Sequence, residues 1–256
     1  MPASPGRYRP SSRARLASGR GVRPSLALSL VGAAMLVAVT FPLLAARALE
    51  AFGPRVAGAV VLALGLASLA LSRRAERNET TRAGRGHGRW PRAVPLALPA
   101  LTLASGDELF LRLVPSAVEL ILCGSFLASL RGGGSILQQA ALVIEPYAPD
   151  FIAPYCRKAT IAYALLFTAQ AVALAVVAIA APGTDWAMTS SLLVWLPTLA
   201  FTAAEFLVRK TWFRNYGGAP WDRVLRVLFP PENTARGRHS QEYIRKRRAE
   251  LGMPPP

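Results

Sequence analysis

The feature that most constrains this chain is the alternation of long uncharged apolar runs with short blocks of arginine. The runs approach the 20 or so residues that a helix needs to cross a hydrocarbon core of about 30 Å. Lipid offers no hydrogen bonds to the backbone, and a continuous apolar run lacks the alternation of a barrel strand, so the runs read as helices. The predicted fold class is all-α, a polytopic integral membrane protein. Composition supports this reading, with 52% hydrophobic residues, 17% charged residues and a net charge of +16. Nucleic-acid binding would require basic residues interleaved with aromatics on a folded surface. Here the basic residues lie beside apolar runs and read as topology signals, so no nucleic-acid partner is expected.

Six spans are expected, at about 25–46, 56–72, 93–105, 108–130, 159–181 and 186–208. Residues 1–24 hold six arginines and no acid, which predicts a disordered basic tail. The run at 25–46 is longer than a signal-peptide core and reads as an uncleaved span, with Ala46-Arg47-Ala48 leaving a cleavage site as the alternative. The run at 93–105 is short and contains Pro95 and Pro99; it is a kinked span or a re-entrant segment. The loop at 73–92 carries seven arginines, and the segment 209–256 carries eleven basic residues. With six spans, 27 of the 30 basic residues fall on one side, which by the positive-inside rule makes both termini cytoplasmic.

A carboxyl near the middle of a bilayer costs several kcal/mol unless it is paired, protonated or facing a polar cavity. Glu119 is such a group. At helical spacing Glu108, Arg112, Pro115, Glu119 and Cys123 share a face, and Gln170 lies at a similar depth in the fifth span. A Glu119–Gln170 hydrogen bond is expected, serving either as a packing contact or as part of a proton or substrate relay. Glu205 and Arg209 stand one turn apart at the inner end of the sixth span, spaced for an ion pair. Arg157 and Lys158 open the fifth span, where they anchor it or meet lipid phosphate. The two cysteines, Cys123 and Cys156, have no metal or dithiol spacing and read as small apolar residues. Neither His87 nor His239 is placed as a metal ligand, and no metal or cofactor is expected.

On the cytoplasmic side, Gly132, Gly133 and Gly134 end the fourth span. Ser135 is a candidate N-cap for a surface helix at 136–144 that turns Gln138 and Gln139 to water, and a proline-rich linker follows. A strongly basic amphipathic helix is expected at 240–251, with Arg245, Lys246, Arg247 and Arg248 as its cationic group. Anionic lipid headgroups are its first expected partner, at about 1 kcal/mol per basic residue near a membrane surface. An acidic protein such as an acyl carrier protein, or another synthesis enzyme, is the alternative.

The run Leu111-Arg112-Leu113-Val114-Pro115, the pair Ser129-Leu130, Tyr155-x-Arg157-Lys158-x-Thr160, Trp186 and Glu205-x-x-Val208-Arg209 together resemble a family of uncharacterised bacterial inner-membrane proteins. That family is encoded among aryl-polyene and xanthomonadin-type pigment biosynthesis genes. The resemblance covers roughly residues 110–210, and the first two spans agree in hydropathy alone. Where the family pattern has asparagine, this chain has Glu119, Gln170 and Ser190; where it has tryptophan, Tyr163; where it has Glu-Arg, Gln138-Gln139. The resemblance implies a pathway and the bacterial inner membrane as location, but no mechanism. An arginine-dominated, alanine-rich composition agrees with a GC-rich bacterial source.

Motifs of enzymes are missing: no His-x4-Asp, no G-x-S-x-G, no histidine-rich diiron set, no phosphate loop and no HExxH occur. Three function classes follow, in order. The first is an accessory or scaffolding membrane protein, the second a transporter of a lipid-linked or polyene product, and the last a membrane-embedded enzyme.

Overall fold

The structure, a computed structural model, describes residues 24–79, 94–131, 134–144, 148–180, 184–214, 216 and 220–252. The N-terminal tail before Pro24, most of the arginine-rich loop at 73–92, Gly132, Gly133, residues 145–147 of the proline-rich linker and the turn at 181–183 lie outside them. All described elements are helices: α1 (Pro24–Glu79), α2 (Val94–Ser105), α3 (Leu109–Arg112), α4 (Val114–Ser129), α5 (Ile136–Ile144), α6 (Ala153–Ala180), α7 (Thr184–Phe213), α8 (Pro220–Leu228) and α9 (Ala235–Glu250), with 3-10 turns at Asp150–Ile152 and Pro231–Asn233. Four stretches are long and apolar enough to cross a membrane, namely Thr40–Ala70, Leu109–Ser129, Ala153–Ala180 and Asp185–Phe213; Leu96–Ser105 is apolar but shorter.

The expected loop between the first two runs is largely helical. Arg47 to Phe52 are good helix formers, and Arg47 pairs with Glu50 one turn on, at 3.4 Å. The interruption contracts to Gly53, at φ 75 and ψ 170, a conformation open in practice to glycine only. Pro54 follows, where a missing N–H is harmless at a new helix start. A straight helix of 56 residues would be about 84 Å long, and Gly53 breaks its course.

The expected fourth span is α3 and α4, joined at Leu113. Pro115 has no amide to offer the Leu111 carbonyl, while the Leu113 amide still donates to Leu109 (3.0 Å) and the Ala117 amide to Leu113 (3.1 Å). The helix expected as the fifth span begins at Ala153, six residues earlier than expected, because Pro154 falls in its first turn, where proline is tolerated. The helix expected as the sixth runs on to Phe213, since Arg209–Trp212 contain no breaker; Arg214 then turns left-handed at φ 50.

The chain separates into two compact units: Leu36–Ile136 with Ala153–Val208, and Met1–Met35 with Leu137–Ile152 and Arg209–Pro256. In the larger unit α4 packs antiparallel on α6. The side chains of Ser116, Cys123 and Phe126 meet Ala171, Thr168 and Phe167 in turn. One end is closed by small and apolar residues, with Ala45, Ala46, Ala57, Leu111, Ala178 and Trp186 all buried. Toward the other end Tyr163 stacks edge-on against Phe201 at 4.7 Å, and Phe126 against Phe167 at 5.1 Å. The second half of α1 approaches α2 through glycine. A Cβ on Gly58 would stand 3.0 Å from the Pro99 carbonyl oxygen, a close helix approach of the kind small residues permit in lipid.

Candidate functional site

Two groups of polar residues stand out, one along the apolar helices and one in the smaller unit. The first lies between α4, α6 and α7. Arg112, Pro115 and Glu119 are buried on the face expected of them, and Arg112 is ion-paired to Glu108 one turn back. Beside Glu119, the Ser116 hydroxyl donates to the Ala171 carbonyl at 2.8 Å. Cys123 meets the Thr168 hydroxyl at 3.2 Å, so it is a polar contact as well as a small apolar residue. Cys156 is buried, and neither cysteine is in a disulfide.

The antiparallel register sets Gln170 level with Glu119, as the sequence predicted, but the expected bond between them is not formed. The Gln170 amide nitrogen instead donates to the carbonyls of Leu193 and Val194, each at 2.9 Å, and to the Thr198 hydroxyl at 3.0 Å. The reason is Pro197, inside α7. Proline removes the amide that the carbonyl four residues earlier, that of Leu193, would accept. A vacant carbonyl in a lipid-embedded helix is costly, and a side chain from the neighbouring helix satisfies it. The Thr198 hydroxyl donates to Val194 at 2.6 Å and completes the repair. Glu119 is left 3% exposed, and its Oε2 has no hydrogen-bond partner.

Further along the same helices, Tyr163 donates to the Thr202 hydroxyl at 2.9 Å and Tyr155 to the Glu205 carbonyl at 3.4 Å. Glu205 and Arg209 lie one turn apart on α7, beyond Pro197. Arg157 is exposed but employed, since its guanidinium donates to the Leu130 carbonyl at 3.1 Å and so closes the C-terminus of α4; Lys158 is exposed. An open cavity of about 380 Å³ is lined by Phe52, Gly53, Pro54, Arg55, Ser105 and Gly106, of which Arg55 alone is charged.

The second group belongs to the smaller unit. Lys210 and Asp222 form an ion pair at 3.1 Å, each side chain 3% exposed. Tyr216 is fully buried and donates to the carbonyls of Phe229 (2.9 Å) and Leu225 (3.3 Å), tying the end of α8. Arg214 donates to the Pro230 carbonyl, and its own carbonyl accepts from Gln241 at 2.9 Å. Phe151 packs against His239, Phe213 and Tyr243, while Arg236 lies over the Trp212 ring at 4.8 Å. His239 is thereby a stacking residue. Burial pushes the Tyr216 phenol above its ordinary 10.0, and the Asp222 carboxylate adds to this, while the guanidiniums of Arg214 and Arg226 oppose it.

The predicted basic helix begins earlier than expected, at Ala235, because Thr234 is its N-cap and accepts from the Gly237 amide at 3.0 Å. Its buried residues are Gly237, Ser240 and Ile244, a narrow stripe against the Pro231–Asn233 turn. What remains outward is ionic. Arg245 and Lys246 are exposed, Arg247 bonds Glu250 at 2.7 Å, and Arg248 is half-buried. The segment expected at 240–251 falls within this helix apart from Leu251, which is its C-cap. Ser135 is buried ahead of α5, and the Ile136 amide donates to the Ser129 hydroxyl at 3.1 Å; Gln139 is exposed.

Sequence reasoning passed over Asp222, Lys210, Tyr216 and Thr198. Asp222 had a legible signal, since it is an acid on the otherwise apolar and basic pattern WDRVLRVLF. Thr198 follows Pro197 directly, and a proline in a span calls for a nearby donor. Among the described residues no group of three or more His, Cys, Asp or Glu could hold a metal ion. No family model, no curated protein and no solved structure matches the chain.

Proposed function

We propose that this chain is an accessory protein of a bacterial inner membrane that holds soluble synthesis enzymes, or an acyl carrier protein, at the cytoplasmic face. In this reading six spans put both termini in the cytoplasm, with α2 as the third, and the pathway is of the aryl-polyene type that the residue resemblance implies. The observation that carries the reading is α9, a helix fixed along a narrow buried stripe and capped at its start, which presents Arg245 and Lys246 outward. Preorganised cations meet an acidic protein surface at lower ordering cost than a loose tail.

The test is retention of the pathway's acyl carrier protein on membranes containing the full chain, compared with an Arg245→Glu, Lys246→Glu variant. Retention lost in the variant and recovered by an opposing charge change on the partner supports docking. Equal retention in membranes lacking the chain altogether rules it out.

A second reading, transport of a lipid-linked product, draws on Glu119, a buried acid with an oxygen that has no hydrogen-bond partner. Product that is made but stranded in the inner membrane of a Glu119→Gln strain supports transport. Wild-type product distribution in that strain removes it.

A further inference from the structure

The helix α8 turns its largest side chains outward. Trp221, Val224, Val227 and Leu228 recur at helical spacing on one face and are 55%, 62%, 80% and 64% exposed. Asp222 and Leu225 point inward, and the exposed Arg223 and Arg226 occupy the opposite flank. An apolar face of this kind, bordered by arginine, belongs to a helix that works at a boundary between water and an apolar phase.

We infer that α8 lies in the plane of an anionic lipid surface, with the Trp221, Val224, Val227 and Leu228 face on the acyl chains and Arg223 and Arg226 among headgroup phosphates. Its covalent position argues for lipid over a protein partner. Phe213 ends a helix long and apolar enough to cross a membrane, and six residues separate it from Pro220. The Lys210–Asp222 pair shortens that tether further, holding the first turn of α8 against the end of α7 at 3.1 Å. A helix so fastened stays within reach of the surface that α7 enters. Its charge is complementary to phosphate, and Trp221 together with the 59% exposed Trp212 supplies the rings that favour the headgroup level. The inference stands apart from the docking role of α9, whose outward cations it does not use.

The test is nitroxide accessibility in the full chain, reconstituted in bilayers containing phosphatidylglycerol. Cys123→Ala and Cys156→Ala remove the native thiols, and single cysteines replace Val224, Val227, Leu228, Arg223 or Arg226, with circular dichroism confirming helix content. A label at Leu165, 66% exposed on α6, serves as the hydrocarbon reference. Labels at 224, 227 and 228 are expected to collide with oxygen as the reference does and to be shielded from an aqueous nickel chelate, with the reverse at 223 and 226. Shielding is expected to fall in neutral phosphatidylcholine; equal shielding in both lipids would overturn the anionic part of the inference. Chelate access at 224 and 227 equal to that at 223 would overturn the whole. So would spin–spin broadening at 227 that vanishes on dilution with unlabelled chain, because the occupant would then be a second copy. Loss of carrier-protein retention with these accessibilities unchanged would strike the proposed function and leave this inference standing.

Discussion

Replacing Gln170 by leucine tests whether this side chain repairs the proline break in α7. Leucine keeps similar volume and apolar packing but removes donation to the Leu193 and Val194 carbonyls and to Thr198. Interhelical hydrogen bonds in bilayers average about 0.6 kcal/mol each, so loss of all of them comes to about 2 kcal/mol. The informative comparison is with Pro197→Ala. Alanine restores the amide that the Leu193 carbonyl lacks, so in that background Gln170 has one fewer vacant acceptor to fill. The cost of Gln170→Leu should then fall by about 0.6 kcal/mol, and this difference is the coupling energy of a double-mutant cycle. Unfolding in mixed micelles, followed by helix signal as the dodecyl sulfate fraction rises, gives the required free energies. Equal costs of Gln170→Leu in both backgrounds would show that the Leu193 carbonyl is not what Gln170 serves.

Three further outcomes are expected in the smaller unit. Lys210→Met strands the Asp222 carboxylate and should cost about 3–5 kcal/mol, while Lys210→Met with Asp222→Leu should recover most of it; protease protection of 220–252 reports both. Gly237→Ala should destabilise by about 1–3 kcal/mol, because the new Cβ would overlap the Pro231 carbonyl oxygen and stand 2.9 Å from Pro231 Cα; Gly124→Ala, with nothing within 4 Å, is the matched control for thermal unfolding. Tyr216 gives a pH dependence. Its folded pKa is raised above the ordinary 10.0, so the folded unit keeps a proton that the unfolded chain loses; stability from this group is full below about pH 10 and falls as pH rises above it. Phenolate absorbance and proteolysis should change together in that window, and Tyr216→Phe should abolish the alkaline loss.

Much of the architecture was legible in the order of residues. Run length and segregated charge give apolar helices because a backbone in lipid has no other partner for its polar groups. The bounds of α2 and α5 and the shared face of Arg112, Pro115 and Glu119 followed from local pattern, since proline, glycine and helical spacing act within a few residues. The long-range pairings were not legible in this way. Which acceptor Gln170 takes depends on a vacant carbonyl on another helix, and depth alone made Glu119 an equally good partner. The Lys210–Asp222 pair likewise spans a turn whose geometry no local preference dictates. For α9, basic composition was plain from the sequence, yet the burial of Gly237, Ser240 and Ile244 decided that its outward surface is ionic, while α8 presents the apolar face. Sequence thus determined which apolar segments are helices that suit a membrane, through interactions that act along the chain, but it marked neither α8 nor the helical course of residues 47–52. Tertiary structure alone decided which polar groups are satisfied and which face is left outward, because both depend on neighbours distant in sequence.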